Sequence, residues 1–422
     1  MPESVRAALF ALETVGIKLG LDQIRALLDG LGHPERAYPS LVVAGTNGKG
    51  SVTAMVERAL RAAGYRTGRY TSPHLVDLEE RFAVNGQPLA TDVADLLIAR
   101  VMRAADALET PPSFFEATTA LALEAFRSSA VEVAVLEVGL GGRLDATNAV
   151  ESRAVAITAV DFDHQSHLGH TIEEIAREKA GVIKPNALTV LGENSAPVCR
   201  VVLDVATAVG ANLVYAPDGT SAETRMVDGR IVASIRTPRT LYADLTLALR
   251  GRHQVANAIT AIRLLEELDF SGALEVPAGA IRIGIEETVS PARLELIEWR
   301  GKHVLIDGAH NPAGARALTA YVVEAYDRRL PLVIGVMRDK EIDEIVSALA
   351  PIASHFVCTA AQSPRAASPQ EIAAVVARVT PGRPCLTADS ADRALDLAFG
   401  LGSSVVVAGS LYLAGEIRAK LS

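Results

Sequence analysis

Cysteine is scarce in this sequence, long apolar runs are missing, and positive charge is in deficit. The three cysteines, Cys199, Cys358 and Cys385, are widely spaced, odd in number and free of any C-x-x-C pattern. Neither a disulfide framework nor a zinc knuckle follows, and all three are expected as buried small hydrophobes. Lysine and arginine total 41 against 50 aspartates and glutamates, a formal net charge of −9, and no Lys/Arg stripe occurs. Nucleic acid is therefore not expected as a partner, because phosphate backbones are held by basic surfaces. The first residues, Met1-Pro2-Glu3-Ser4-Val5-Arg6, lack a basic segment followed by an apolar core, and no later run has the length of a membrane span. A cytoplasmic protein with no membrane partner is expected. No repeat of fixed period stands out, and low complexity is limited to a mild alanine bias.

At 422 residues the chain exceeds what one hydrophobic core usually serves, and 49% apolar with 22% charged residues suits a soluble α/β protein. Short Val/Ile/Leu runs at 41–43, 133–136, 154–158 and 188–191 read as buried parallel strands. Segments of helical period lie between them at 52–63, 91–108, 117–127 and 172–181. This alternation predicts a doubly wound, mainly parallel sheet. From Ala211 to Leu249 the texture turns polar and β-branched, which predicts a small antiparallel addition, followed by a long helix over 254–268. Strand-helix alternation restarts after Glu287, with strands expected at 304–306, 332–336, 355–359 and 404–408. The expected division is an N-terminal domain over 1–288 with a P-loop-type sheet, a linker over 289–293, and a C-terminal Rossmann-like domain over 294–422. Asp307-Gly308-Ala309-His310-Asn311-Pro312 then follows a strand, at the carboxyl end where open sheets place ligands. An interdomain active site is expected.

The stretch Leu41 to Ser51 carries the most information. An apolar run stops at Gly45-Thr46-Asn47-Gly48-Lys49-Gly50-Ser51, and a helix follows. Glycines let backbone N–H groups face phosphate oxygens, Lys49 supplies positive charge, and the helix N-terminus adds more. Ser51 is placed to meet a magnesium ion. The usual pattern opens with Gly six residues before the lysine and joins lysine to a hydroxyl residue. Here Val43 holds the opening position and Gly50 separates Lys49 from Ser51. Binding of a nucleoside triphosphate is the leading reading.

Glu137 lies in the otherwise apolar strand Val135-Leu136-Glu137-Val138, where a buried carboxylate needs a cation, a proton or hydrogen bonds. Magnesium, a hard cation preferring oxygen, is the simplest partner; a pair with an arginine such as Arg143 is the alternative. Asp161-Phe162-Asp163-His164-Gln165-Ser166-His167-Leu168-Gly169-His170 crowds three histidines at loop spacing, with no cysteine or H-E-x-x-H pattern to support zinc. One histidine on a second magnesium, the others exposed, is the preferred reading. Lys179 looks by itself like a solvated helix residue.

These motifs, with Tyr70-Thr71-Ser72-Pro73-His74-Leu75, Leu136 to Asn148, Arg177-Glu178-Lys179-Ala180-Gly181 and Val406 to Glu416, occur in an order that resembles the dihydrofolate synthase/folylpolyglutamate synthase family of the Mur ligase superfamily. Gly50 after Lys49 looks like the folate branch. The resemblance implies that Ser72 and Glu137 hold a first Mg2+ and His164 a second, with Lys179 carbamylated beside the second. It implies contacts to ATP from Asn257, Arg293, Asp307 and His310, added to residues 45–51, with Lys49, Lys179 and His310 serving catalysis. It implies a pterin side at Ser113, Phe114, Phe115, Glu116, Leu144, Asp145 and Ala146; from the residues alone, Phe114 and Phe115 read as core. One departure is Pro291-Ala292-Arg293, where the family commonly has glycine in place of Ala292.

The activity so implied is ligation: ATP phosphorylates a carboxylate and the amine of L-glutamate attacks the acyl phosphate. Dihydropteroate and reduced folates are the expected acids, and a monomer is expected. The absence of a Ser-His-Asp or Cys-His nucleophile pattern agrees with catalysis by positioning and charge neutralisation. Rival readings are a folylpolyglutamate synthase alone, a peptidoglycan-precursor ligase, and a non-enzymatic ATP-dependent switch.

Overall fold

The computed structural model describes residues 2–16 and 18–421. It divides into two compact α/β units, Met1–Glu223, Ser234–Leu245 and Ala256–Thr288 forming one, and Thr224–Ala233, Thr246–Val255 and Val289–Ser422 the other.

The first unit is built on eight strands: β1 Ser40–Ala44, β2 Thr67–Tyr70, β3 Phe82–Val84, β4 Gln87–Pro88, β5 Val133–Glu137, β6 Ser152–Ile157, β7 Leu188–Leu191 and β8 Asn212–Tyr215. Their spatial order is β4-β3-β2-β5-β1-β6-β7-β8. Six run parallel, while β3 lies antiparallel to β2 and β4 antiparallel to β3. All five residues of β1 and of β5 are buried, as strands covered on both faces require. From β1 the chain passes to β2 on one side of the sheet and later to β6 on the other. The carboxyl ends of β1, β5 and β6 therefore meet at a topological switch point, the place where such sheets leave a crevice.

The expected elements appear with shifted ends. The helix expected over 52–63 runs from Lys49 to Ala62, because Gly48, in the left-handed region at φ 93°, serves as its N-cap. Lys49, Gly50 and Ser51 are thus its first turn and not part of the preceding loop. The helices near 91, 117 and 172 run Thr91–Ala105, Phe114–Ser128 and Ile172–Ala180. The long helix is His253–Phe270. The polar region after 211 contributes β8 to the main sheet, then β9 Ser221–Val227, β10 Arg230–Arg236 and β11 Leu241–Thr246, a separate sheet in the order β11-β10-β9.

In the second unit the strands are β12 Glu295–Trp299, β13 Lys302–Ile306, β14 Leu330–Ile334, β15 Ala353–Cys358, β16 Cys385–Thr387 and β17 Ser404–Ala408. The order is β12-β13-β17-β14-β15-β16, parallel except for β12 against β13. Its core gathers Leu332, Ile334, Phe356, Val406 and the apolar faces of the covering helices. The cysteine expectation holds only for Cys358, which is buried; Cys199 and Cys385 are half-buried.

Among the described residues no helix is long and apolar enough to cross a membrane.

Candidate functional site

The turn after β1 is held from below by the segment that follows β6. The N–H groups of Thr46 and Asn47 both donate to the Ala159 carbonyl, at 2.8 and 3.2 Å. Thr46 Oγ1 donates to the Asp161 carbonyl, and Thr158 Oγ1 to the carbonyl of Asn47. Asn194 ties down that second segment, accepting from the Val160 N–H and donating to the Thr158 carbonyl. Two amides of the turn are therefore occupied within the protein, and the binding face shifts to the first turn of the helix Lys49–Ala62. No side chain caps that helix, the arrangement in which its N-terminus attracts an anion. Gly45, at φ 142°, could not carry a Cβ, which would sit 1.9 Å from Thr158 Oγ1; at Gly48 a Cβ would sit 2.3 Å from Asn257 Oδ1. Asn257 thus lies against the turn from far along the chain.

Two lysines converge on one carbonyl. Lys49 Nζ donates to the carbonyls of Gly45 and Thr46, both at 3.2 Å, and Lys179 Nζ donates to the Gly45 carbonyl at 2.8 Å. The expectation of a solvated Lys179 is overturned: the residue is only 4% exposed. The cause is the close approach of the turn after β5, since a Cβ on Gly142 would sit 2.8 Å from the backbone oxygens of Glu178 and Lys179. Burial, reinforced by the nearby charge of Lys49, lowers the Lys179 ammonium to about 7, against the opposing pull of Asp163 and Asp145.

Glu137 ends β5 with 4% of its surface exposed. Its carboxylate accepts from the Ser72 N–H at 3.3 Å, and both its oxygens lie 3.5 Å from the point a Cβ on Gly50 would occupy. Of the arginines, Arg143 forms its ion pair with Glu178 at 2.8 Å. Arg69 is a residue that sequence reasoning missed. It stands in register with Val135, so it shares a sheet face with Glu137 two residues on, and its Nε is buried without a hydrogen-bond partner. Burial lowers its pKa, while Glu57 and Glu137 act in the opposite sense. A charged residue inside a strand was the available signal.

Beyond β6, His164 takes a left-handed conformation as N-cap of a one-turn helix, Gln165–Leu168. His167 therefore belongs to a helical turn and not to a loop, and both His167 and His170 are exposed. His164 Nε2 lies 3.8 Å from Asp163 Oδ1. Among the described residues no three His, Cys, Asp or Glu side chains gather as a metal cage.

On the other face of β2 the residues expected at a pterin site cluster near Tyr70. Phe115 packs 6.0 Å from the Tyr70 ring. Phe114, half-buried, stacks on Phe10 at 5.7 Å, and the Arg81 guanidinium lies 5.3 Å from its centre. Arg81 in turn donates to His74 Nδ1, and burial followed by the Arg81 charge lowers His74 to about 4. Ser113 and Glu116 are occupied by the backbone, forming a reciprocal capping box for the helix Phe114–Ser128. Asp145 likewise accepts from the N–H groups of Leu140 and Thr147 and from Thr147 Oγ1, although burial raises its pKa. Leu144 is half-buried beside it, and Ala146 is buried in the short turn that Asp145 caps.

The second unit holds its own group. Asp307 accepts from the N–H groups of Leu294 and Ala309, both at 2.8 Å, and burial raises its pKa against the Arg293 charge. His310 Nδ1 lies 2.8 Å from the Gly308 carbonyl. Gly308 donates its N–H to Ala292, and a Cβ at Gly308 would come 2.9 Å from the Arg293 guanidinium. Ala292 itself is fully buried at φ 55°, a left-handed conformation. Ala292→Val is expected to lower stability by roughly 2–3 kcal/mol, since a branched side chain there is both strained and overpacked. Ala292→Gly is expected to stay within about 1 kcal/mol, relief of strain offsetting the lost methyl. Urea midpoints at constant slope decide between this and an unstrained linker.

Residues 43–265 match the Mur ligase middle domain, and residues 292–411 match the Mur ligase glutamate ligase domain. The chain belongs to the Mur ligase family. A dihydrofolate synthase/folylpolyglutamate synthase of Mycobacterium tuberculosis is 35% identical over 94% of this chain and 89% of its own length. A solved Mycobacterium tuberculosis folylpolyglutamate synthase complexed with ADP and AMPPCP superposes with a TM-score of 0.91 at 33% identity, covering 99% of each chain. A bifunctional folylpolyglutamate synthase/dihydrofolate synthase with Mn, AMPPNP and L-glutamate bound gives 0.86 at 29% identity, covering 99% of this chain and 98% of the other. Within the Mur ligases, this chain falls beside the folate-type enzymes.

Proposed function

We propose that this Mur ligase joins L-glutamate to dihydropteroate, giving dihydrofolate, and to the γ-carboxylate of reduced folates, giving polyglutamates. The observation that carries the reading is the convergence of Lys49 and Lys179 on the Gly45 carbonyl beside the Ser72–Glu137 pair. It gathers cations for a polyphosphate and hard oxygens for a divalent metal around one turn. The names and bound ligands of the similar proteins support the substrates and an ATP–metal requirement.

Hydroxide is a poor leaving group, so the acid is first phosphorylated by ATP; the glutamate amine then attacks the acyl carbon and phosphate departs. Lys49 and the first-turn amides hold the β- and γ-phosphates. Ser51, Ser72 and Glu137 are the oxygen donors that would hold one Mg2+, and His164 with a carbamate on Lys179 would hold a second. When bound, these ions neutralise charge on the transferred group. Asn257, Arg293, Asp307 and His310 are assigned to ATP, with His310 also serving catalysis, and the Phe114–Phe115 segment with residues 144–146 to the pterin. The domains assigned are 1–288 and 294–422, acting as a cytoplasmic monomer.

Purified protein with ATP, L-glutamate and either dihydropteroate or tetrahydrofolate is expected to yield products heavier by whole glutamyl residues, with one phosphate released per bond. Phosphate release without product, or stimulation by a uridine-nucleotide peptide precursor in place of pteroates, would refute the assignment.

A further inference from the structure

The parallel edge of the second unit contains a pair of thiols that the ligase chemistry does not use. Strands β15 and β16 pair with Phe356 opposite Cys385, and Cys358 lies two residues further along β15. Alternation puts Phe356 and Cys358 on one face, so the two cysteines sit diagonally across adjacent strands. Their sulfurs are 3.5 Å apart. Both belong to the apolar cluster beneath the covering helices, Cys358 fully buried and Cys385 packed against it but half-buried on the outermost strand. Cys199 stands apart in the first unit, its sulfur 3.6 Å from the Asn194 carbonyl.

We propose that Cys385 and Cys358 are an oxidation site, with Cys385 the residue that reacts and Cys358 the residue that resolves it into an intramolecular disulfide. The oxidant is hydrogen peroxide. The Cys385 thiolate attacks the peroxide O–O bond, becoming a sulfenic acid, and the departing oxygen leaves as water after taking up protons. The Cys358 sulfur then attacks the Cys385 sulfur, the S–O bond breaks, and the hydroxyl leaves as a second water with the Cys358 proton. Two thiols lose two electrons and two protons, and one peroxide is reduced to two waters.

Three features favour this division of labour. Only Cys385 is accessible from the sheet edge. The contact with Cys358 also lowers the Cys385 thiol below its ordinary value, while the same contact and burial raise that of Cys358. The resolving sulfur is already 3.5 Å away, and the short edge strand β16 supplies the local shift that brings a diagonal pair to disulfide spacing. The bond would tie the three-residue strand β16 to β15 and close a loop of the intervening chain.

The test uses the full chain, reduced and then exposed to hydrogen peroxide, with remaining thiols alkylated after denaturation and peptides read by mass. A linked peptide pair containing Cys358 and Cys385, lighter by two hydrogens, is expected, with Cys199 still alkylated. The oxidised protein is expected to melt several degrees higher than the reduced one, and dithiothreitol is expected to reverse both changes. In Cys358→Ser, Cys385 is expected to be trapped by a sulfenic-acid reagent; in Cys385→Ser, Cys358 is expected to stay reduced. Alkylation of both thiols after peroxide treatment, over-oxidation of Cys385 without a link, or a link through Cys199 would each overturn the proposal.

Discussion

Lys49→Ala should lose roughly two to three orders of magnitude in kcat for ATP-dependent ligation while its melting temperature stays within a few degrees of the parent. A single preorganised cation facing developing phosphoryl charge contributes on the order of 3–4 kcal/mol to the barrier. Within the fold the same side chain makes 3.2 Å bonds to two carbonyls of its own turn, which water can replace. The large catalytic and small structural effects should therefore separate. Turnover near the parental rate would remove the phosphate role from this turn. A second readout follows from the neighbour: after burial, the charge of Lys49 is the next cause of the lowered Lys179 ammonium, so Lys49→Ala should move Lys179 part of the way back toward its ordinary range.

Lys179→Met should abolish ligation and yet make the CO2-depleted protein more stable at pH 6. Carbamylation requires a neutral amine. With the ammonium lowered to about 7, roughly half of Lys179 is neutral at pH 7, against about one molecule in three thousand for an ordinary lysine. The unmodified amine has a cost. Because its folded pKa lies below the unfolded value, the unfolded chain binds more protons between pH 7 and about 10.5. Stability should rise with pH across that window, and the full penalty, on the order of a few kcal/mol, remains below it. Methionine carries no such penalty. The checks are denaturant titrations of both proteins at pH 6 and pH 10, and activity with and without bicarbonate. A parent whose activity ignores bicarbonate, or whose high-resolution map under bicarbonate shows a bare ammonium, would contradict the carbamate.

The central strands and the phosphate turn could be read from the chain because burial on both faces imposes uninterrupted apolar runs, as in Val133–Glu137. Strand β2 escaped because Gly68 and Arg69 interrupt its pattern, although tertiary pairing with β5 holds it in the sheet. Strand β16 is only three residues long. The helix Ala196–Val209 was missed although Pro197 in its first turn is a proper start signal. At the site, contiguous motifs were visible and assembled contacts were not. Nothing local to Lys179 announces burial, which arises from Gly142 packing on it. Nothing near Asn257 places it over Gly48, about two hundred residues earlier. The Ser113-Phe114-Phe115-Glu116 segment carries a local signal that was passed over. Its S-x-x-E spacing is a capping signal in its own right, and the structure uses it so.

The brace beneath the Gly45–Ser51 turn has a thermodynamic meaning. Thr46, Asn47, Thr158 and Asn194 lock its backbone through contacts to Ala159, Val160 and Asp161 before any ligand arrives. The conformational entropy of ordering the turn is lost during folding, so it is not charged against affinity when a polyphosphate docks. Nucleotide affinity in this chain is therefore a property of the segment after β6, whose members named here bear no charge except Asp161, as much as of the lysine that meets the phosphates.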